Sequence, residues 1–209
     1  MLRDSSENIL IKEPDTSGII EQFDGYFKLE DASLNTVRSR VINPKEYWGG
    51  AYGVAADTQV IKQADVVAML SMFKNDYTSD IMAKNLKYYE PRTEHGSSLS
   101  ACMYSLLACY TDNPEIAYPM FMKSAKADLT KGCKEWAGSI YIGGTHPASA
   151  GGAWIAAVKG FAGVIEENGQ LVCRPNLPEK WNGMSFKLMY KGRLYSVEIQ
   201  NGNGTISTI

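Results

Sequence analysis

The chain has 209 residues, of which 44% are hydrophobic and 21% charged, with a formal net charge of -2; that is enough for one large or two small domains around a buried core. The balance excludes an electrostatic footprint for nucleic acid, because no basic stripe or long charge run occurs. The opening residues, from Met1 to Asn8, lack an apolar signal core, and the longest apolar stretch, near Trp154, is broken by Lys159 short of a membrane span, so a soluble, cytoplasmic protein is expected.

Residues 1–58 read as irregular, with turn signals at Pro14-Asp15, Asp24-Gly25, Asn43-Pro44 and Gly49-Gly50 and one short helix over 34–40. So long a segment without periodicity is uncommon as a free loop, and its aromatic residues Phe23, Tyr26, Phe27, Tyr47, Trp48 and Tyr52 predict packing against a core or the lining of a concave site. Helices are predicted over 59–73 and 79–89, from Ser100 through Cys109, over 113–129 and over 148–161. Asn113-Pro114-Glu115 has the chemistry of a helix start, with Asn as cap, Pro in the first turn and Glu toward the dipole. After Gly163 the period changes, and strands are predicted at 171–173, 184–190 and 193–200, with Lys191-Gly192 as a hairpin turn. The tail Asn201-Gly202-Asn203-Gly204 is expected to fray. Helices followed by strands predict a mainly α chain with a C-terminal β unit, divided into residues 1–161 and 162–209.

Four cysteines, Cys102, Cys109, Cys133 and Cys173, show no metal-site spacing; the first two read as small core residues of one helix. With only two histidines, no metal is expected.

Three stretches carry candidate chemistry. The first runs Tyr89-Glu90-Pro91-Arg92-Thr93-Glu94-His95-Gly96-Ser97-Ser98-Leu99-Ser100 and feeds an apolar helix. A helix N-terminus offers unpaired N–H groups and positive potential, and His95, Ser97, Ser98 and Arg92 add donors, which outlines an oxyanion site. The plain alternative is a serine cap beside a structural histidine. The second is Gln59-Val60-Ile61-Lys62-Gln63-Ala64-Asp65, read as a helix start where Lys62 opposes the macrodipole and Lys62 with Gln63 suits sugar hydroxyls. The third, Gly143-Gly144-Thr145-His146 through Gly151-Gly152-Ala153-Trp154, enters another helix; its small residues either permit close packing or line the site.

These stretches, together with Ile20-Glu21-Gln22-Phe23-Asp24-Gly25-Tyr26, resemble in order and spacing the C-terminal part of glycoside hydrolase family 65, which contains inverting disaccharide phosphorylases. Tyr47-Trp48-Gly49-Gly50 and Tyr141-Ile142-Gly143-Gly144-Thr145-His146-Pro147 resemble its kojibiose phosphorylase branch. The resemblance implies a partial (α/α)6 barrel over 1–161 followed by a β domain. It also implies that Lys62, Gln63 and Glu90 contact a glucosyl unit while His95, Ser97 and Ser98 bind inorganic phosphate, the co-substrate, with no other cofactor. The family's general acid lies in an upstream Asp-Glu-Tyr-His type stretch absent from these residues. A fragment is therefore expected, inactive alone and open to a complementing N-terminal chain or a second copy; the alternatives are an inert sugar- or phosphate-binding remnant and part of a trehalase-like hydrolase.

Overall fold

The computed structural model describes residues 11–43, 47–49, 52–130, 135–136, 140–141 and 144–209. Cys133, Pro44, Gly50, Ile142 and Gly143 and the opening residues lie outside that set, and with them parts of the predicted turns and branch motifs.

The aromatic residues of the first segment divide: Tyr26 and Trp48 are buried, Phe23, Phe27 and Tyr47 are part-exposed, and Tyr52 stands in solvent, against the expectation that it packs or lines a site. Tyr26 opens a 3-10 turn (Tyr26–Lys28), is fully buried 5.9 Å from the Tyr89 ring and donates to the Gln59 carbonyl at 2.6 Å. Phe27 meets Tyr88 edge to face at 5.9 Å. Helix α1 (Leu34–Ser39) is capped by Ser33, whose Oγ accepts from Thr36 N–H, and buries Val37 against Trp48 and Val60.

The helix predicted over 59–73 is shorter: α2 spans Val66–Met72, and residues 58–64 are not helical, with single bridges at Thr58 and Ile61 and bends beside them. Their backbone groups go elsewhere, Ile61 N–H to the Arg92 carbonyl at 2.9 Å and Gln59 N–H to that of Glu30 at 2.8 Å, which leaves no i to i+4 ladder to build. Lys62 therefore stands outside any helix first turn, and the macrodipole argument for it fails. Helix α3 (Ser79–Tyr89) falls where predicted, with Thr78 Oγ1 accepting from Ile81 N–H. Helix α4 (Ser100–Tyr110) is buried on all sides and forms the centre of the layer. Helix α5 (Pro114–Ala125) carries Pro and Glu115 in its first turn as predicted, but Asn113 makes no side-chain cap and the helix stops short of 129. Helix α6 (Pro147–Ile155) continues as a π turn over Ala156–Phe161. Leu70, Leu86, Tyr89, Tyr104, Leu107 and Phe161 form the shared core.

Chain direction changes at Gly163, whose φ of 61° and close approach to the Arg174 carbonyl admit no side chain; a Cβ there would sit 1.8 Å from that oxygen. Strands β1 (Glu135–Trp136) and β2 (Ile140–Tyr141) pair before α6, and after it β3 (Val164–Glu167) pairs antiparallel with β4 (Gln170–Cys173). A second antiparallel sheet has the order β5 (Gly183–Tyr190), β6 (Arg193–Gln200), β7 (Asn203–Thr208). Tyr190 pairs with Arg193 across Lys191-Gly192, the predicted hairpin turn. The tail does not fray: Asn201-Gly202 turns the chain into β7, and Ile206 packs beside the buried Val197 and Ile199. Leu177 touches both this cluster and the helical core. The chain is thus mainly α with antiparallel sheets at its C-terminal end, as the order of periodicities predicts. No helix among the described residues is long and apolar enough to cross a membrane.

Cys102 and Cys109 are core residues, 2% and 8% exposed, and they explain Gly152 and Gly160, which face them. A Cβ on Gly152 would lie 2.4 Å from Cys102 Sγ, whereas one on Gly151 meets open space. Close packing accounts for Gly152. Gly151→Ala should stabilise the chain by about 0.5–1 kcal/mol through helix propensity, while Gly152→Ala should destabilise it by about 1–3 kcal/mol through overpacking. Urea unfolding of the two variants checks the opposite signs.

Candidate active site

Two strips of irregular backbone lie side by side where the candidate residues sit. Ile61 bridges Thr93 in a parallel sense, Glu94 N–H donates to the Ile61 carbonyl and Gly96 N–H to that of Lys62, both at 2.8 Å. Ala64 N–H ends the series on Ser100 Oγ at 3.1 Å, so the second strip and the start of α4 are held by the first. This register brings Lys62 and Gln63 next to residues 94–96, although the two stretches are far apart in sequence.

The Lys62 side chain is exposed, with its ammonium 5.1 Å from the Tyr47 ring centroid, a cation–π distance. Lys62 and Gln63 line a concave pocket of about 410 Å³ with Gln22, Phe23, Thr58 and Asp65. Asp65 precedes α2 without capping it; its carboxylate accepts from Gln22 Nε2 at 2.6 Å. That pair joins two of the sequence motifs, and its pairing was not legible from either. A wider concavity of about 620 Å³ on the β5–β6 face, lined by residues such as Ser185, Glu198 and Gln200, includes no candidate residue.

Glu90 does not line the 410 Å³ pocket, and neither do His95, Ser97 or Ser98. Glu90 opens a 3-10 turn (Glu90–Arg92) and is half-buried. Burial first, and the Glu90 carboxylate besides, push the Tyr104 phenol up. Arg92 points away from the anion site, in a two-pronged ion pair with Asp31 at 2.6 and 2.9 Å, and is excluded as a free donor there.

His95 has a left-handed backbone, φ 55°, and its ring turns inward against Tyr104 at 4.7 Å between centroids. It is 6% exposed; Nδ1 lies 2.8 Å from Ser100 Oγ, while Nε2 is buried with no partner among the described residues. Burial, with the Lys123 ammonium as a lesser cause, lowers its pKa to about 3, so the ring is neutral at physiological pH. Ser97 and Ser98 are half-buried in the turn before α4. Ser97 Oγ accepts from Leu99 N–H at 3.3 Å, and the Ser98 hydroxyl makes no hydrogen bond among the described residues. Neither serine caps α4, nor does Ser100. His146, in the third stretch, takes a different role: its Nδ1 and backbone N–H both meet the Asp128 carboxylate at 2.7 Å, which fixes the entry to α6. No group of three or more metal-ligating side chains occurs among the described residues.

Ser100 was legible only as a possible helix cap; nothing in its spacing marks the contacts it makes with both strips. Lys123 gave no sequence signal either, since its approach to His95 depends on how α5 lies against α4.

Comparison with known proteins identifies the family of the chain. Residues 1–155 match the glycosyl hydrolase family 65 central catalytic domain and residues 166–208 the C-terminal domain of the same family. A nigerose phosphorylase of Lachnoclostridium phytofermentans is 56% identical over all of this chain, which spans 28% of that relative. A kojibiose phosphorylase of Caldanaerobacter subterraneus is 38% identical over 87% of this chain and 23% of its own length. A solved structure from the human microbiome, provisionally named a kojibiose phosphorylase, superposes with a TM-score of 0.81 at 27% identity over the whole chain and 30% of its own. The chain belongs to glycosyl hydrolase family 65, and its fold, mainly helical with antiparallel sheets at its C-terminal end, is consistent with that family's.

Proposed function

We propose that this chain supplies the glucosyl and phosphate contacts of an inverting phosphorylase acting on an α-linked glucose disaccharide. The products are β-glucose 1-phosphate and the released acceptor sugar. Lys62, Gln63 and Glu90 contact the glucosyl unit, and His95, Ser97 and Ser98 hold phosphate. The observation that carries this reading is the pairing of residues 61–64 with residues 93–100, which sets the sugar-type donors of one strip beside the histidine and hydroxyls of the other.

The chemistry suits such a site. An inverting hydrolase needs a second carboxylate as base to activate water. Phosphate arrives as an anionic nucleophile, so neutral donors that orient it suffice, and a nearby carboxylate would repel it. The proton for the leaving oxygen is assigned to a carboxylic acid supplied from outside these 209 residues, by a complementing chain or by other parts of a longer polypeptide. Identity supports both nigerose, from a relative at 56%, and kojibiose, from one at 38%, as the disaccharide.

The test is phosphorolysis of nigerose and of kojibiose by this chain alone and mixed with the N-terminal remainder of a family 65 relative. Glucose 1-phosphate is expected from the mixture only, and Lys62→Ala should lower its kcat/KM by about 10- to 100-fold, the loss of a charged hydrogen bond. Free glucose without sugar phosphate would overturn the phosphorylase reading, and turnover by the chain alone would overturn the placing of the acid.

A buried neutral His95 has an acid signature of its own. Its pKa falls from 6.5 to about 3 on folding, so the unfolded chain takes up the proton first. The stability this represents is fully present above about pH 6.5 and is lost as pH falls toward about 3. Between pH 7 and 4.5, wild type should lose about 2–3 kcal/mol that His95→Asn does not. Urea midpoints at the two pH values measure the difference.

A further inference from the structure

The hydrogen bonds around Ser100 decide which nitrogen of His95 carries the proton. Ala64 N–H meets Ser100 Oγ at 3.1 Å, and a backbone N–H can only donate. Ser100 is left with one lone pair and its own proton, and its other side-chain contact is His95 Nδ1 at 2.8 Å.

Two arrangements satisfy those distances. In one, Ser100 O–H donates to Nδ1 and the ring proton sits on Nε2. In the other, Nδ1–H donates to Ser100, whose own O–H then has no acceptor among the described contacts, and Nε2 is a bare lone pair. The first leaves one buried group unmet and the second leaves two. Ser100 is 0% exposed and His95 6%, so each unmet group costs the full desolvation penalty, and the first arrangement is favoured.

We propose that Ser100 is a positioning residue: by accepting from Ala64 N–H and donating to His95 Nδ1, its hydroxyl fixes the ring proton on His95 Nε2 as a donor for a phosphate oxygen. The phosphate part of this rests on the function proposed above; the tautomer does not. Nε2 has no partner among the described residues, which leaves that N–H uncommitted among them. Burial keeps the ring from taking a second proton, so the donor is a neutral one. Ala64 follows Lys62 and Gln63 directly, so the strip carrying the sugar-type donors also orients the histidine. A shift of that strip would release Ser100 and, with it, the proton's placement.

With only two histidines in the chain, long-range proton–nitrogen NMR of the imidazole rings resolves the tautomer, and His146→Gln assigns the signals. In the full chain at neutral pH, His95 should show a protonated Nε2 and a bare Nδ1, and added inorganic phosphate should shift Nε2 without changing the tautomer. Ser100→Ala should give a mixed tautomer signal and weaken phosphate binding about tenfold, whereas Ser100→Thr should preserve both. A wild-type ring protonated on Nδ1 overturns the proposal whatever phosphate does, and needs no variant to fold. A pure Nε2–H ring that persists in folded Ser100→Ala also overturns it. If the variant mixes the tautomers but phosphate leaves wild-type His95 unmoved, the positioning role stands and the phosphate assignment falls.

Discussion

The site depends on one short parallel pairing, Ile61 and Lys62 against residues 92–96, closed by Ala64 on Ser100. Neither strip is part of a sheet. Each is a connection between helices, and a connection alone would hold side chains loosely. The backbone bonds convert the two into a single platform, fastened on one side to α2 and on the other to the buried α4. Beneath it Tyr89 and Tyr104 are fully buried, and Thr93 shares a hydrogen bond with the Tyr104 hydroxyl, so the platform rests on the centre of the core. The precision required of a binding constellation thus comes from the same groups that stabilise the fold.

The electrostatics of the platform are subdued. The histidine is neutral, Arg92 is bound to Asp31 and Glu90 stands aside from the pocket. Beside the Glu94 and Asp65 carboxylates, the polar groups there are hydroxyls, an amide and the exposed Lys62 ammonium. Such a set discriminates by direction more than by charge, which suits the proposed reaction, in which a phosphate must face the anomeric carbon and a sugar must present its hydroxyls. Burial also gives the uncommitted histidine donor more weight than it would have in water, because competing solvent is excluded.

Much of this was readable from residues in order. Pro114 and Glu115 announce α5, and the alternation from Tyr195 to Gln200 announces β6, because each depends on neighbours a few positions away. The Lys62-Gln63 and His95-Gly96-Ser97-Ser98 motifs were legible as chemistry, but their adjacency was not, since the bonds that join them cross between distant segments. The same bonds explain the misread start of α2: Val60, Ile61, Ala64 and Val67 fit helical spacing, and only the long-range partners of residues 59–61 show that the helix has not begun there. Strand β7 was missed for a related reason. Its Asn and Gly content reads as loop, and its order comes from the edge of β6 and the burial of Ile206.

The contacts between α4 and α6 with its π turn bear on how the two segments can change over time. Gly152 faces Cys102 and Gly160 faces Cys109, yet the two pairs are not equivalent. At the first, the Cys102 Cβ itself would be 2.6 Å from a new Cβ at 152, so even alanine at 102 leaves no room. At the second, the nearest atom is the Cys109 sulfur at 2.9 Å and its Cβ stands at 3.2 Å, so trimming the cysteine opens most of the needed space. Position 160 can therefore drift once 109 has shrunk, in two single steps through a tolerable intermediate. Position 152 has no such route, so glycine there is favoured for as long as α4 carries a side chain at 102.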